Sequence, residues 1–258
     1  MRYTTSLLAL FFPLLSLLGC GNGSTSPNKM GTLKVSLTDA PGRVEAVNIT
    51  FSEISSHIND EWIVVRGEPV TVNQLEWNNG RSIVLGAAEV PAGQYTQIRL
   101  KIEHADVVVD GQTHSATVPS GAQTGLKLGP AFAVNEGSTY ELVTDFDARR
   151  SIVTTGPPSN PRGYKLKPTL RVVPKAVTGS ISGTVANPQH LPTAYAIVDS
   201  DTLTSTTVDT SMGAFMLAFL PEGAYTVAVN DTAGLSFERS NIQVVVGTDQ
   251  QLGTITLQ

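Results

Sequence analysis

The stretch Val107-Val108-Val109-Asp110-Gly111-Gln112-Thr113-His114-Ser115-Ala116-Thr117-Val118 decides the fold class. Strand-favouring residues flank an Asp-Gly pair, and Asp-Gly supplies the positive φ angles of a two-residue type I′ turn. The turn predicts a hairpin in which Val107 pairs with His114. Upstream, Ile98, Leu100 and Ile102 alternate with Gln97, Arg99, Lys101 and Glu103. Leu33, Val35 and Leu37 alternate with Lys34, Ser36 and Thr38 before an Asp39-Ala40-Pro41-Gly42 turn, and Val47, Ile49 and Phe51 with Asn48, Thr50 and Ser52. Asn59-Asp60-Glu61 reads as a hairpin turn into Trp62 to Val65. Downstream, Tyr140, Leu142, Thr144 and Phe146 share one face. Tyr164, Leu166, Leu170 and Val172 do the same, with Lys165, Lys167 and Arg171 outward. After residue 30 no stretch carries a capped stripe of helical period. Strands recurring every eight to twelve residues or so predict an all-β chain of sandwich or barrel type. Ser151 to Gly163, with three prolines, reads as an exposed polar loop.

A second unit follows Val173-Pro174-Lys175-Ala176-Val177. It has about seven short strands in roughly 80 residues, the proportions of a small β-sandwich. The two units share an echo: Val90-Pro91-Ala92-Gly93-Gln94-Tyr95-Thr96 against Leu220-Pro221-Glu222-Gly223-Ala224-Tyr225-Thr226. Pro fixes a turn, Gly accommodates it, and Tyr starts a strand with its ring packed over that turn.

The N-terminus sets location. Met1 to Ser6 carries one charge, Arg2, and Leu7 to Leu18 is nearly all apolar. As a helix that run spans about 18 Å, short of a hydrocarbon core of about 30 Å, so it reads as a secretory signal and not a membrane span. Leu17-Leu18-Gly19-Cys20 resembles the bacterial lipobox. The resemblance implies cleavage before Cys20 and a diacylglycerol on its sulfur, with an N-acyl chain giving a stable anchor. Gly21, and not Asp, follows; in Gram-negative lipoproteins this implies passage to the outer membrane. Gly21 to Met30 is a polar tether reaching at most about 35 Å.

Composition narrows the classes further. The chain carries 17 Lys and Arg against 22 Asp and Glu, a formal net charge of −5. Arg2 is the only charge before Cys20, so the anchored chain is more acidic still. That argues against a nucleic-acid partner and against a polybasic membrane surface. Cys20 is the single cysteine; once acylated it leaves no thiol for disulfides, metal ligation or nucleophilic attack.

Two further resemblances cover the units. Gly179-Ser180-Ile181-Ser182-Gly183-Thr184-Val185, Gly213-Ala214-Phe215 and Leu220 to Val227 make residues 179–258 similar to the carboxypeptidase regulatory-like domain, a transthyretin-like sandwich. That resemblance implies a non-catalytic module of a carbohydrate-binding-like fold group. Leu37-Thr38-Asp39-Ala40-Pro41, Pro91-Ala92-Gly93-Gln94-Tyr95 with Ile98-Arg99-Leu100, Asp145-Phe146-Asp147-Ala148 with Ser151, and Leu166-Lys167-Pro168 make the first unit resemble a bacterial lipoprotein domain family of unknown function. The expected organisation is a signal peptide over 1–19, a lipidated tether over 20–30, a larger N-terminal β-sandwich over 31–174 and a transthyretin-like β-sandwich over 175–258.

Candidate chemistry is sparse. Asp145 and Asp147 sit two apart on one strand face, roughly 7 Å from each other. Asp39 joins them if the first strand lies alongside, and three carboxylates with backbone carbonyls could hold Ca²⁺. The competing reading has Asp39 closing an Asx-type turn and the other two solvated or paired with Arg149, Arg150 or Lys165. His57, His104, His114 and His190 do not share a predicted face, as a zinc site would need. Trp62 opens an apolar strand and reads as core; Trp77, beside Asn78-Asn79-Gly80, reads as the surface aromatic for a glycan. Arg99, Lys101, Lys165, Lys167 and Arg171 form either a basic patch or scattered charge on a solvated face. Gly-x-Ser-x-Gly, P-loop, HExxH and CxxC motifs do not occur. The expectation is a non-catalytic, lipid-anchored envelope protein whose sandwiches bind or scaffold a protein or glycan partner. The alternatives are a carbohydrate-binding surface lipoprotein and a hydrolase with an unrecognised site.

Overall fold

The structure, a computed structural model, describes residues 29–40, 44–157 and 161–258. The signal segment, Cys20, most of the tether and the turn residues Pro41 and Gly42 lie outside the described residues. In chain order the strands are β1 (Met30–Ala40), β2 (Ala46–Ile58), β3 (Glu61–Arg66), β4 (Val70–Asn73), β5 (Ile83–Pro91), β6 (Gly93–Tyr95), β7 (Gln97–Val109), β8 (Gln112–Thr117), β9 (Leu126–Leu128), β10 (Phe132–Val134) and β11 (Thr139–Asp147). They continue as β12 (Ile152–Thr155), β13 (Gly163–Leu166), β14 (Leu170–Pro174), β15 (Thr178–Val185), β16 (Thr193–Val198), β17 (Asp201–Thr207), β18 (Ala214–Pro221), β19 (Gly223–Asn230), β20 (Ser236–Val244) and β21 (Asp249–Ile255). Two single helical turns, α1 (Ser120–Thr124) and α2 (Ala148–Ser151), interrupt them.

The chain is all-β, as its period of two predicts. A narrow sheet, β14-β11-β1-β5, faces a broad one, β12-β13-β8-β7-β2-β3, which β4 and β9 extend. Their inner faces enclose Leu33, Val35, Leu37, Leu142 and Phe146 from one side and Ile49, Phe51, Ile54, Ile98, Leu100 and Ile102 from the other. Each such side chain, removed from water, contributes about 1.5–3 kcal/mol. A second core, including Ile181, Phe215, Leu217, Tyr225, Val227 and Val229, lies between sheets β18-β15-β21 and β17-β16-β19-β20.

The Asp110-Gly111 turn has φ of 51° and 71°, and Val107 pairs with His114. Asn59-Asp60 makes the same two-residue turn, at 49° and 62°, so Glu61 already belongs to β3. The echoed motif behaves alike in both units. Tyr95 donates its hydroxyl to the Pro91 carbonyl at 2.7 Å, and Tyr225 to Pro221 at 2.8 Å. Burial pushes both phenols above their ordinary pKa.

Two segments differ from the sequence reading. Within Ser151 to Gly163, expected as loop, Ile152–Thr155 form β12 and pair with β13, Ile152 opposite Leu166. Tyr164–Leu166 and Leu170–Val172 are not one strand, because the chain crosses there from the broad sheet to the narrow one. Ser151 holds the crossing: its carbonyl accepts the Lys167 amide at 2.7 Å and its Oγ accepts the Thr169 amide at 2.9 Å. Pro168 between them has no amide to place.

Candidate functional site: the carboxylate joint between the units

Parallel pairing of β1 with β11 does bring Asp39, Asp145 and Asp147 together. The register sets Thr38 beside Asp145, Asp39 beside Phe146 and Ala40 beside Asp147. Side chains alternate along a strand, so Asp39 follows Leu37 and Phe146 to the core side while Asp145 and Asp147 face away from it. All three are buried, at 3%, 4% and 9% exposure.

Each carboxylate has at least one oxygen engaged, while Asp39 Oδ2 and Asp145 Oδ1 are buried without a hydrogen-bond partner among the described residues. Asp39 Oδ1 accepts the Ala148 amide at 3.2 Å, and Asp147 Oδ1 accepts the Arg150 amide at 2.8 Å. These are the first amides of α2, which a helical turn leaves without internal partners, so two acids from two strands cap one turn. Asp147 Oδ2 also binds Arg150 Nε. Asp145 Oδ2 accepts Arg171 Nε at 2.8 Å; Arg171 Nη2 lies 2.7 Å from the same oxygen as an ion contact, off the hydrogen-bond direction. Burial, then the charges of Asp145 and Asp147, raises the Asp39 pKa well above its ordinary value, against the pull of the Ala148 amide.

The three aspartates proposed for Ca²⁺, Asp39, Asp145 and Asp147, are thus neighbours but do not converge as one ligand set. Strand alternation splits the three acids between two faces, and arginines take the outward pair. No group of three or more His, Cys, Asp or Glu among the described residues is arranged to hold a metal ion.

The outward acids aim cations at the second unit. Arg171 Nη1 donates to the Phe219 carbonyl at 2.8 Å, and Arg150 Nη2 to the Thr202 carbonyl at 3.2 Å. Arg149 reaches the Tyr195 hydroxyl at 3.0 Å. Further along β11, Glu141 binds Ser36 at 2.8 Å, Lys34 at 3.3 Å and Lys175 of the connecting turn at 3.2 Å. Burial raises the Glu141 pKa, but the bonds from Ser36 and Lys175 outweigh it and hold the group below its ordinary value.

The turn Asn78-Asn79-Gly80 completes the joint. Asn79 donates its amide to Thr206 Oγ1 at 2.9 Å on β17 and accepts the Met216 amide of β18 on its Oδ1; Thr207 Oγ1 meets Asn78 Oδ1 at 3.4 Å. Strands β17 and β18 are edges of the second unit's two sheets. The turn sits across the seam between them, covering polar edge groups that invite foreign strands. A cleft of about 240 Å³ remains beside Asp147, Arg150, Arg171 and Thr202.

The two tryptophans exchange their expected places. Trp77 is half-buried against the first core, and its carbonyl accepts Thr38 Oγ1 at 2.8 Å and the Asp39 amide at 2.9 Å. Trp62 lies on the outward face of the broad sheet, with the Arg99 guanidinium 4.1 Å from its ring centre. The histidines do not converge: His57 binds Thr96 Oγ1 at 2.8 Å, His104 binds Asp106 at 2.9 Å, and His114 lies 5.4 Å from Tyr164. The five-residue basic patch is dispersed, since Arg171 is in the joint and Arg99 and Lys101 share Glu53 on the broad sheet.

A family model described as Domain of unknown function (DUF4382) matches residues 30–168, which include all three aspartates. The chain belongs to that family. No curated protein matches the DUF4382 chain. Among solved structures it is similar to the TIE protein of Bacillus anthracis, at 13% identity and a TM-score of 0.25, over 89% of this chain and 34% of that one. It is also similar to BcpA, the major pilin subunit of Bacillus cereus, at 11% identity and a TM-score of 0.21, over 89% and 70%. A fimbrial protein from Bacteroides ovatus matches at 9% identity and a TM-score of 0.22, over 89% and 50%. The chain thus spans about a third of the TIE protein.

Proposed function

We propose that this DUF4382 protein is a non-catalytic, lipid-anchored envelope protein that presents two β units, held as one body, to an extracytoplasmic partner. The joint carries this reading: three arginines, two of them seated on buried acids, and one Asn-Asn-Gly turn bridge the units at named carbonyls and amides. A linker that left the units free would not need these contacts. The lipobox-like Leu17-Leu18-Gly19-Cys20 supports the anchor and the export. A buried polar cluster beside a cleft does exist, as a hydrolase would need, but its acids bind Arg150, Arg171 and the α2 amides, an arrangement that supports a structural joint.

Metabolic labelling with a clickable fatty acid tests the anchor. Label should appear on the wild-type chain in the outer-membrane fraction and vanish from Cys20→Ala, which should be recovered as soluble exported protein. Label that persists on Cys20→Ala, or a wild-type chain without label, would overturn the anchored reading.

A further inference from the structure

The outward face of the broad sheet holds a second cluster outside the joint, with Ser55 buried beneath it and the Arg99 and Glu53 side chains 19% and 22% exposed. Register sets Ser55 opposite Arg99 and Glu53 opposite Lys101 across β2 and β7, His57 opposite Trp62 across β2 and β3, and Arg99 opposite Lys127 across β7 and β9. Their strand neighbours Ile54, Ile58, Ile98 and Leu100 are core residues, so alternation turns this set away from the core. Around the Trp62 ring centre lie Arg99 Cζ at 4.1 Å, Lys127 Nζ at 5.9 Å and the His57 ring at 5.0 Å.

Arg99 is fixed in place. Its Nε donates to Ser55 Oγ at 3.1 Å and its Nη2 to Glu53 Oε1 at 2.8 Å. Its stem lies against Gly125, where a Cβ would fall 2.5 Å from both Cγ and Cδ. Glu53 gives its other oxygen to Lys101 at 2.8 Å. Burial raises the Glu53 pKa, yet the bonds from Lys101, Arg99 and Ser55 keep it below its ordinary value, so it stays ionised. The cluster therefore holds one carboxylate, Glu53, against three basic side chains, Arg99, Lys101 and Lys127, in a protein whose net charge is −5. Among the described residues, Lys127 makes no ion pair and Arg99 Nη1 no hydrogen bond. A preset guanidinium loses little entropy on binding an anion.

We propose that this cluster binds an acidic saccharide, with the Trp62 indole packing on a sugar ring and Arg99 and Lys127 taking a carboxylate, sulfate or phosphate on it. A single aromatic ring in an acidic protein favours a short charged glycan over single-stranded nucleic acid, which needs a basic groove and successive stacking platforms. The proposal rests on the reading that the protein presents this face to an extracytoplasmic partner. Its test uses purified chain, so loss of binding and loss of the lipid are separate results.

Titration calorimetry on the full-length protein in detergent micelles would use oligogalacturonate, a sulfated chondroitin oligosaccharide and a phosphorylated oligomannose. Maltohexaose, oligo-dT and inorganic phosphate are the comparison probes. At least one acidic oligosaccharide should bind, more weakly at higher salt, and which one binds identifies the anion. Lys127→Ala and Trp62→Ala should each weaken it at least fivefold, with Lys165→Ala, on the same sheet outside the cluster, unchanged. Lys127 is exposed, so its variant tests the site without burdening the fold. Binding to none of the three acidic oligosaccharides, equal affinity for maltohexaose, oligo-dT or free phosphate, or unchanged affinity in both variants would overturn the proposal.

Discussion

Arg171→Leu is the sharpest probe of the joint. Asp145 is 4% exposed, and the Arg171 side chain that neutralises it is 17% exposed. Removing one member of a buried ion pair leaves the other charge without compensation, which costs about 3–5 kcal/mol when burial is complete. Arg171 is not fully enclosed, and a cleft of about 240 Å³ beside it can admit water, so about 2–4 kcal/mol is the expected loss. The Phe219 carbonyl loses its donor in the same step. In Arg171→Leu with Asp145→Leu both charges are gone, and an apolar pair of similar volume is often neutral. The double variant should then sit within about 1–2 kcal/mol of wild type, a coupling of about 2 kcal/mol or more. Urea unfolding followed by tryptophan fluorescence reads the first unit, which holds both Trp62 and Trp77, and far-ultraviolet circular dichroism reads the whole chain. A single variant that loses less than about 1 kcal/mol, or a double that loses the sum of both singles, would refute the view that Arg171 and Asp145 act as a pair.

Asp39 carries a raised pKa, so the folded state holds its proton more tightly than the unfolded chain, whose value is near 3.8. Its stabilising contribution is full below that value and is lost as pH rises through the folded pKa; Asp39→Asn should flatten this fall in a pH series of melting temperatures while still capping Ala148. Tyr95→Phe should cost about 0.5–1.5 kcal/mol in urea unfolding, because the part-buried Pro91 carbonyl loses its donor. Gly80→Val should cost about 1–3 kcal/mol, since φ is +80° and a Cβ would lie 2.5 Å from Met216 Sδ; limited proteolysis should then separate the two units sooner than in wild type.

The strands were legible because period two and Asp-Gly or Asn-Asp turns are local signals. The crossing at Lys167 to Thr169 was not, since Leu166 and Leu170 each satisfy the apolar pattern of whichever sheet receives them. The meeting of Asp39 with Asp145 and Asp147 followed from supposing β1 beside β11, but alternation counted along two strands depends on register, and only the structure supplies that. Arg171 looked like ordinary outward charge, because a sheet face reads as solvent-facing until something covers it; Arg149 and Arg150 were readable as partners for the acids, and Arg150 does bind Asp147. The same gap exchanged the tryptophans: Trp77 follows an Asn-capped turn that folds inward, while Trp62, on an apolar strand, falls on the outer phase of the alternation. The echoed Pro-x-Gly-x-Tyr was readable as a local turn, because every group it uses lies within five residues, although Tyr95 ends β6 and Tyr225 lies inside β19, so neither starts its strand.

The family match ends at residue 168, and Arg171 lies just beyond it. Yet the acids that Arg171 and α2 serve, Asp39, Asp145 and Asp147, lie within the match. Ser36, Val143 and Val173 on the outward face of the narrow sheet are nearly as buried as core residues, at 1%, 0% and 8% exposure, although the core of the first unit does not include them. A sheet whose outer face carries that much covered surface is built to be covered. The dependence runs in the other direction too, because β17 and β18 would present a bare seam without Asn78-Asn79-Gly80 across it. Each unit thus finishes the other. The buried acids fix the direction of the arginines, the arginines fix the second unit, and the Trp62 cluster of the broad sheet lies outside that joint.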